Sequence, residues 1–282
     1  MTHHLKALGL STLMIALMAA CTPAPKKDAA PATDAATPTA TATPAAPLKI
    51  RFGTDASYAP FESKNAAGEI VGFDIDLGKA ICAEIKAECT FQDQAWDGII
   101  PALESKQYDA ILSSMSITAE RKEKVNFSQK LWNAPNAFLG KAGTAFVATD
   151  AGLTGKTIAV QKGTLQETYA KEVYKGAKVK SYGTIEQAYT DLTANRADVV
   201  FADGVVVSDG FLKTPKGKGY AVLAEVPSSA NVAILGEGTG IAVRKDDAEL
   251  LAALNKGIEA IRANGQYKTI ADKYFDFDIY GK

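Results

Sequence analysis

Three clusters in this 282-residue chain set charged or hydroxyl side chains just after short apolar runs of strand character. The first is Gly53-Thr54-Asp55-Ala56-Ser57-Tyr58-Ala59-Pro60-Phe61, with a carboxylate and an aromatic ring three residues apart in one turn. The second is Ser113-Ser114-Met115-Ser116-Ile117-Thr118, followed by Arg121, which combines hydroxyls, backbone N–H groups and a guanidinium. The third is Gly163-Thr164-Leu165-Gln166, a glycine turn opening a helix. Asp203 stands apart, between a buried strand and another helix.

As a set these groups suit a zwitterion. A guanidinium such as Arg121 offers two parallel donors to an α-carboxylate. The free N–H groups of the helix start near Thr164 add donors and the favourable end of a dipole. Asp203 supplies an anion for an α-ammonium, which leaves Asp55 over. A second buried carboxylate is costly without a partner, and a cationic ligand side chain would be that partner. Tyr58 and Trp96 have ring faces to flank the same cation. Each residue also has a plainer role. Asp55 suits a turn cap and Asp203 a helix N-cap. Thr118 suits a cap with Arg121 solvated, the serines suit turns, and Tyr58 and Trp96 suit core or rim.

The elements that must position these groups alternate between strand and helix. Leu48 to Gly53 reads as a strand, Asp74 to Lys86 as a helix with Ile75, Leu77, Ile81 and Ile85 at helical spacing, and Thr90-Phe91 as a short strand. Asp97 to Ser105 is helical and Tyr108 to Leu112 strand-like. The second half repeats this, with strands at Thr157–Gln161, Lys178–Tyr182 and Asp198–Ala202, and helices at Thr164–Tyr174, Ile185–Ala194 and onward to Lys213. Ala134-Pro135-Asn136-Ala137 and the glycine-rich Gly236 to Gly240 look like crossovers, and a long helix over Asp246–Ala263 follows Ile241–Arg244. Repeated βα units of this length predict an α/β fold with mainly parallel sheets. In such sheets ligands bind beyond the carboxyl ends of the strands.

The N-terminus reads as an export signal. Lys6 precedes an apolar run from Ala7 to Ala20, which is short for a membrane span. Leu17-Met18-Ala19-Ala20-Cys21 resembles the lipobox of bacterial lipoproteins, where Cys21 would carry the lipid and become the mature N-terminus. Thr22 to Pro47 is mostly Ala, Thr and Pro and predicts a disordered, extended tether. Basic and acidic residues number 31 and 32, a net charge of −1, with no basic stripe for nucleic acid. Cys82 and Cys89 lie across a helix-to-strand turn. In an oxidising compartment they read as a disulfide, with two buried thiols as the alternative. The only histidines, His3 and His4, fall in the signal, which weakens zinc- or histidine-based chemistry. No metal or cofactor is expected.

The chain resembles the periplasmic polar-amino-acid-binding proteins of ABC transporters, and among them the lysine/arginine/ornithine- and histidine-binding group. The likeness runs from Leu48 to Gly281 and is strongest at Gly53–Phe61, Val71-Gly72-Phe73-Asp74-Ile75-Asp76-Leu77, Ser113–Arg121 and Tyr274-Phe275-Asp276-Phe277, with the Cys82/Cys89 spacing matching as well. It implies a two-lobed periplasmic-binding-protein fold with two hinge connections and a ligand cleft between the lobes. The expected ranges are 1–20 for the signal, 21–47 for the lipidated cysteine and tether, 48–133 and 236–282 for the first lobe, and 138–231 for the second. Hinges are expected at 134–137 and 232–235. It also implies that Arg121 binds the α-carboxylate with Ser116 and the Thr164 turn. Asp203 and Ser114 would hold the α-ammonium, Asp55 and the Ser113 region would meet the side-chain cation, and Tyr58 and Trp96 would sandwich the aliphatic stem.

Two departures bear on the ligand. Gln161 stands where the lysine/arginine/ornithine group has Leu, as in arginine-binding relatives, and Leu165 stands where many relatives have Thr. Gln161 adds a polar group near the side-chain end and favours a guanidinium. The resemblance therefore implies a monomeric, non-enzymatic periplasmic protein, held to a membrane by its N-terminal lipid. It would deliver a basic amino acid, arginine before lysine, ornithine or histidine, to an ABC permease of the inner membrane. Alternatives on the same fold are a cyclohexadienyl dehydratase-like enzyme and an amino-acid sensor subunit.

Overall fold

A computed structural model describes residues 47–281, so the expected signal peptide, Cys21 and almost all of the tether lie outside the described residues. The chain opens with β1 (Lys49–Thr54), in which Lys49 and Arg51 face out while Ile50 and Phe52 are buried. That alternation is what a sheet with one buried face requires. Three short strands, β2 (Ser57–Tyr58), β3 (Glu62–Lys64) and β4 (Ile70–Val71), form a small antiparallel sheet of their own. Then follow β5 (Glu88–Asp93), β6 (Ala110–Ile111) and β7 (Val125–Phe127). The second half supplies β8 (Asn136–Lys141), β9 (Thr157–Gln161), β10 (Lys178–Tyr182), β11 (Val199–Asp203) and β12 (Tyr220–Val226), and β13 (Ala242–Arg244) comes last.

Two five-stranded sheets result, ordered β5-β1-β6-β13-β7 and β10-β9-β11-β8-β12. The late strand β13 pairs with β6 and β7, so the C-terminal part returns to the first sheet. Each sheet is mixed, which corrects the expectation of mainly parallel sheets. β1 runs parallel to β5 and β6, and β9 parallel to β10 and β11, but β8 is antiparallel to both β11 and β12. The reason is directional. Strands of βα units end at the cleft, whereas β8 starts there, as the pairing of Asp203 with Asn136 places them side by side.

The two connections between the sheets run together. Thr239 bridges to Trp132 and to Ser116, and its N–H donates to the Trp132 carbonyl at 2.8 Å. Gly238, at φ 106°, packs where a Cβ would lie 2.8 Å from that carbonyl, so no other residue lets the connections approach this closely. Residues 232–235, expected as a hinge, form the short helix Val232–Leu235, whose Leu235 is buried in one core with Phe138, Ile158 and Phe201. The first lobe has its own packing around Ile99, Leu103, Tyr108, Ile111 and Met115. Cys82, on the helix Phe73–Glu84, is joined to Cys89 on the edge strand β5, with their Cα atoms 6.3 Å apart.

Candidate functional site

Every side chain singled out from the sequence lines one cavity: Asp55, Tyr58, Trp96, Ser113, Ser114, Ser116 and Arg121 from the first lobe, and Gln161, Thr164 and Asp203 from the second. The carboxyl ends of β1, β6, β9 and β11 deliver Asp55, the serine turn, Gln161 and Asp203. The same cavity is also lined by Glu62, which the sequence analysis does not single out, and by Leu165 and Gln166 of the third cluster, which it gives no ligand contact. Glu62 begins a strand of three residues, too short to show a period, and carried no signal. Leu165 and Gln166 follow Thr164 directly in the Gly163 turn, so the same turn brings all three to the cavity.

Two cross-lobe hydrogen bonds fill the space. Tyr58 Oη donates to Asp203 Oδ2 at 2.5 Å, and Gln161 Nε2 donates to Asp55 Oδ2 at 2.6 Å. With these bonds in place about 20 Å³ is enclosed, room for about one water molecule. A wider groove of about 420 Å³ runs outside, with Trp96, Arg121 and Thr164 in its wall as well. Across its rim Trp96 Nε1 donates to the Gly163 carbonyl at 3.0 Å and Lys162 Nζ to Asp97 Oδ2 at 2.9 Å.

The charges in the cavity respond to burial. Desolvation pushes Asp203 up to about 6, against the Tyr58 and Gln166 hydrogen bonds and the nearby Arg121 that favour its charged form. Asp55 is likewise raised by burial, opposed by hydrogen bonds from Ser57 and Gln161. Arg121 is pulled down to about 10 by desolvation, with Glu120 and Asp203 working the other way. Its guanidinium carbon lies 5.1 Å from the centre of the Trp96 ring, and Nη1 donates to the Ser116 carbonyl at 3.0 Å. Among the described residues, the Ser116 carbonyl is the one acceptor within hydrogen-bond reach of the fork.

The plainer roles hold at some positions. Thr118 caps the helix Ala119–Lys124 by accepting from the Arg121 N–H, yet Arg121 is partly buried at the cavity. Thr164 caps the helix Leu165–Val173 and donates to the Gln161 carbonyl at 2.7 Å. Asp55 Oδ1 accepts from Ser57 Oγ at 2.7 Å, a turn-capping contact, while Oδ2 faces the cavity. Asp203 precedes the helix Gly204–Val207 but makes no side-chain cap, so its carboxylate is left for the cavity. Ser114, at φ 52°, directs its hydroxyl toward Glu62 and Asp74. Among the described residues no group of three or more His, Cys, Asp or Glu is placed to hold a metal ion, and no helix is long and apolar enough to cross a membrane.

This arrangement can hold a zwitterion: a guanidinium and two carboxylates line one space. Comparison with known proteins agrees in kind. The histidine-binding periplasmic protein of Salmonella typhimurium is 47% identical over 239 residues, which is 84% of this chain and 91% of that protein. An L-arginine-binding protein of Pseudomonas aeruginosa is 46% identical, with 84% and 92% covered. Among solved structures, a Salmonella typhimurium periplasmic binding protein described as highly specific for arginine superposes with a TM-score of 0.75 at 33% identity, covering 81% of this chain and 99% of that one. Residues 50–277 match a single family, and the chain belongs to it: the bacterial extracellular solute-binding proteins, family 3.

Proposed function

We propose that this protein is the solute-binding component of an ABC-type amino acid importer, and that it captures a basic amino acid, arginine first, between two closing lobes. The observation that carries the reading is the charge of the cavity: Asp55 and Asp203, with Glu62 beside Asp55, against the single Arg121, all lining the same space. An amino acid with a neutral side chain balances Arg121 and one carboxylate. A cationic side chain balances the second, which would otherwise stay buried with only neutral donors. In this reading Arg121 takes the α-carboxylate, aided by the Thr164 helix start, and Asp203 takes the α-ammonium in place of Tyr58. Asp55 and Gln161 take the side-chain cation, with Trp96 and Tyr58 along the stem. Binding without chemistry fits the names borne by the similar proteins.

Lobe ranges of 48–133 and 236–282 against 138–235 follow the sheets, with the helix Val232–Leu235 assigned to the second lobe. A monomer, released into the periplasm and tethered through a lipid on Cys21, completes the proposal, and the mass of the mature protein reads both the cut and the lipid.

Calorimetric titration with arginine, lysine, ornithine, histidine and glutamine tests the reading, repeated on Asp55→Asn. Cationic ligands are expected to bind tightly and to lose about 10- to 100-fold in the variant, the worth of one charge-assisted contact. A preference for glutamine, or equal losses for all ligands, sinks the claim of basic specificity.

A further inference from the structure

Beneath the serine turn lies a pair of carboxyl groups that the proposed ligand contacts leave unused. Glu62 and Asp74 are both fully buried, and Glu62 also lines the cavity beside Asp55, Ser113 and Ser114. Asp74, in the first turn of the helix Phe73–Glu84, is well supplied with donors. Its Oδ2 accepts from the Ser114 N–H at 2.7 Å, and Oδ1 accepts from Trp132 Nε1 at 3.1 Å. Glu62 has only hydroxyls, Ser113 Oγ at 3.3 Å and Ser114 Oγ at 3.2 Å. The Ser114 hydroxyl has one hydrogen and two carboxyls to serve, since Asp74 Oδ2 is 3.3 Å from the same oxygen. One more hydrogen resolves the conflict, and an acid proton on Glu62, the poorer acceptor site, provides it.

The groups facing Glu62 favour the same state. Burial raises its pKa well above the ordinary range, and the charges of Asp74 from the helix and Asp55 from the first turn add to it, against the hydrogen bonds from Ser114 and Ser113. Asp74 is itself raised to about 6 by burial, opposed by hydrogen bonds from Ser114, Trp132 and Glu62, while Tyr267 feels its charge from the C-terminal side. Tyr58, raised mainly by burial and by Asp203, also feels the charge of Glu62, and Arg121, the cavity's cation, interacts with Asp203 and Tyr58. Between Asp55 and Glu62 lies Ser113, whose Oγ accepts from the Asp55 N–H at 2.8 Å, so a cation docking on Asp55 at this end comes next to Glu62.

We propose that Glu62 is a specificity-determining residue of the side-chain end: in the ligand-free protein it holds a proton, and when a cationic side chain docks beside Asp55 its O–H bond breaks and the proton passes to solvent. The cavity exchanges one positive charge for another, and a neutral side chain has nothing to offer in exchange. The inference rests on the basic amino-acid reading above. It requires arginine affinity to rise with pH between the ligand-free and the ligand-bound pKa of Glu62, by up to about tenfold per pH unit for one proton.

Arginine titrations at equal pH in two buffers of different ionisation enthalpy count the protons released. A release of up to about one proton per arginine is expected, reduced in Glu62→Gln, whose amide still donates to Asp74 but cannot ionise. Glu62→Gln should also flatten the pH dependence and lower the preference for arginine over glutamine. Arginine binding without proton release, or with the same release in Glu62→Gln, overturns the inference and leaves basic specificity standing. In case the variant does not fold, carboxyl carbon signals of the wild-type protein labelled with 13C-glutamate give an independent reading. One buried glutamate should change from the protonated to the ionised shift on adding arginine, and a spectrum with no such change overturns the proposal. No arginine binding by the wild type removes the basic reading and the inference with it.

Discussion

Arg121 shows how one residue is prepared before any ligand meets it. Its backbone N–H is bound to the Thr118 cap, one guanidinium nitrogen is fixed on the Ser116 carbonyl, and its guanidinium carbon lies over the Trp96 ring. The fork is thus oriented at the protein's expense, and in the proposed function a bound carboxylate would need to order only itself. A lysine in the same place keeps the charge but has neither the paired donors nor the flat face. Arg121→Lys is therefore expected to weaken arginine binding by about 10- to 100-fold and to weaken binding of every other amino acid ligand by a similar factor, as titration calorimetry would measure. A loss confined to basic ligands would move Arg121 from the α-carboxylate to the side-chain end.

At the scale of elements, the cleft is made by strand ends and helix starts, and the far ends of the same strands are free to serve stability alone. The disulfide illustrates the division. Cys89 lies at the start of β5, while Asp93 at its other end accepts from the Ala56 N–H next to the site. Closing so short a loop removes unfolded-chain entropy worth about 2–3 kcal/mol. Replacing Cys82 and Cys89 together by serine is expected to cost about that much in denaturant unfolding and to leave arginine affinity within about twofold. A large loss of affinity would mean that the helix Phe73–Glu84, which carries Asp74, shifts when the bond is removed.

For the whole molecule, the buried carboxyls make stability and ligand capture respond oppositely to pH. Asp203 and Asp74, each raised to about 6 by burial, and Glu62, raised well above the ordinary range by burial, favour the protonated form in the fold. A carboxyl whose folded pKa lies above its unfolded one adds stability that is fully present below the unfolded value. That stability is lost as pH rises through the folded value. Asp191, held far below the ordinary range by Arg196, Lys180 and Tyr182, acts in the opposite sense but only in stronger acid. Between about pH 4 and 7 the raised set dominates. Without ligand, the melting temperature by scanning calorimetry is expected to be higher at pH 5 than at pH 7.5. Stabilisation by added arginine should grow over the same interval, because Asp203 must be ionised to hold an ammonium. A ligand-free melting temperature that rises steadily with pH would contradict this account.

Much of this was set by local sequence. The alternation in Lys49-Ile50-Arg51-Phe52, the strands at Thr157–Gln161 and Lys178–Tyr182, and the caps at Thr118 and Thr164 follow from side-chain period and hydrogen-bonding groups within a few residues. So does the placing of Asp55, Arg121 and Asp203 just after strands or at helix starts. What local sequence could not decide is what depends on residues far apart. The pairing of β13 with β6 and β7, the antiparallel half of each sheet, and the strands Val125–Phe127 and Tyr220–Val226 are set by which edges meet once the chain has crossed twice between lobes. The same holds within the site. Tyr58 was read for its ring, but its hydroxyl meets Asp203 across 145 residues of chain. Glu62 had no pattern to announce it, because its character comes from burial against Asp74 and two serines about 50 residues away. Side-chain type and spacing name the groups available for chemistry. Only the tertiary packing determines which of them lose water, and the loss of water changes their charge.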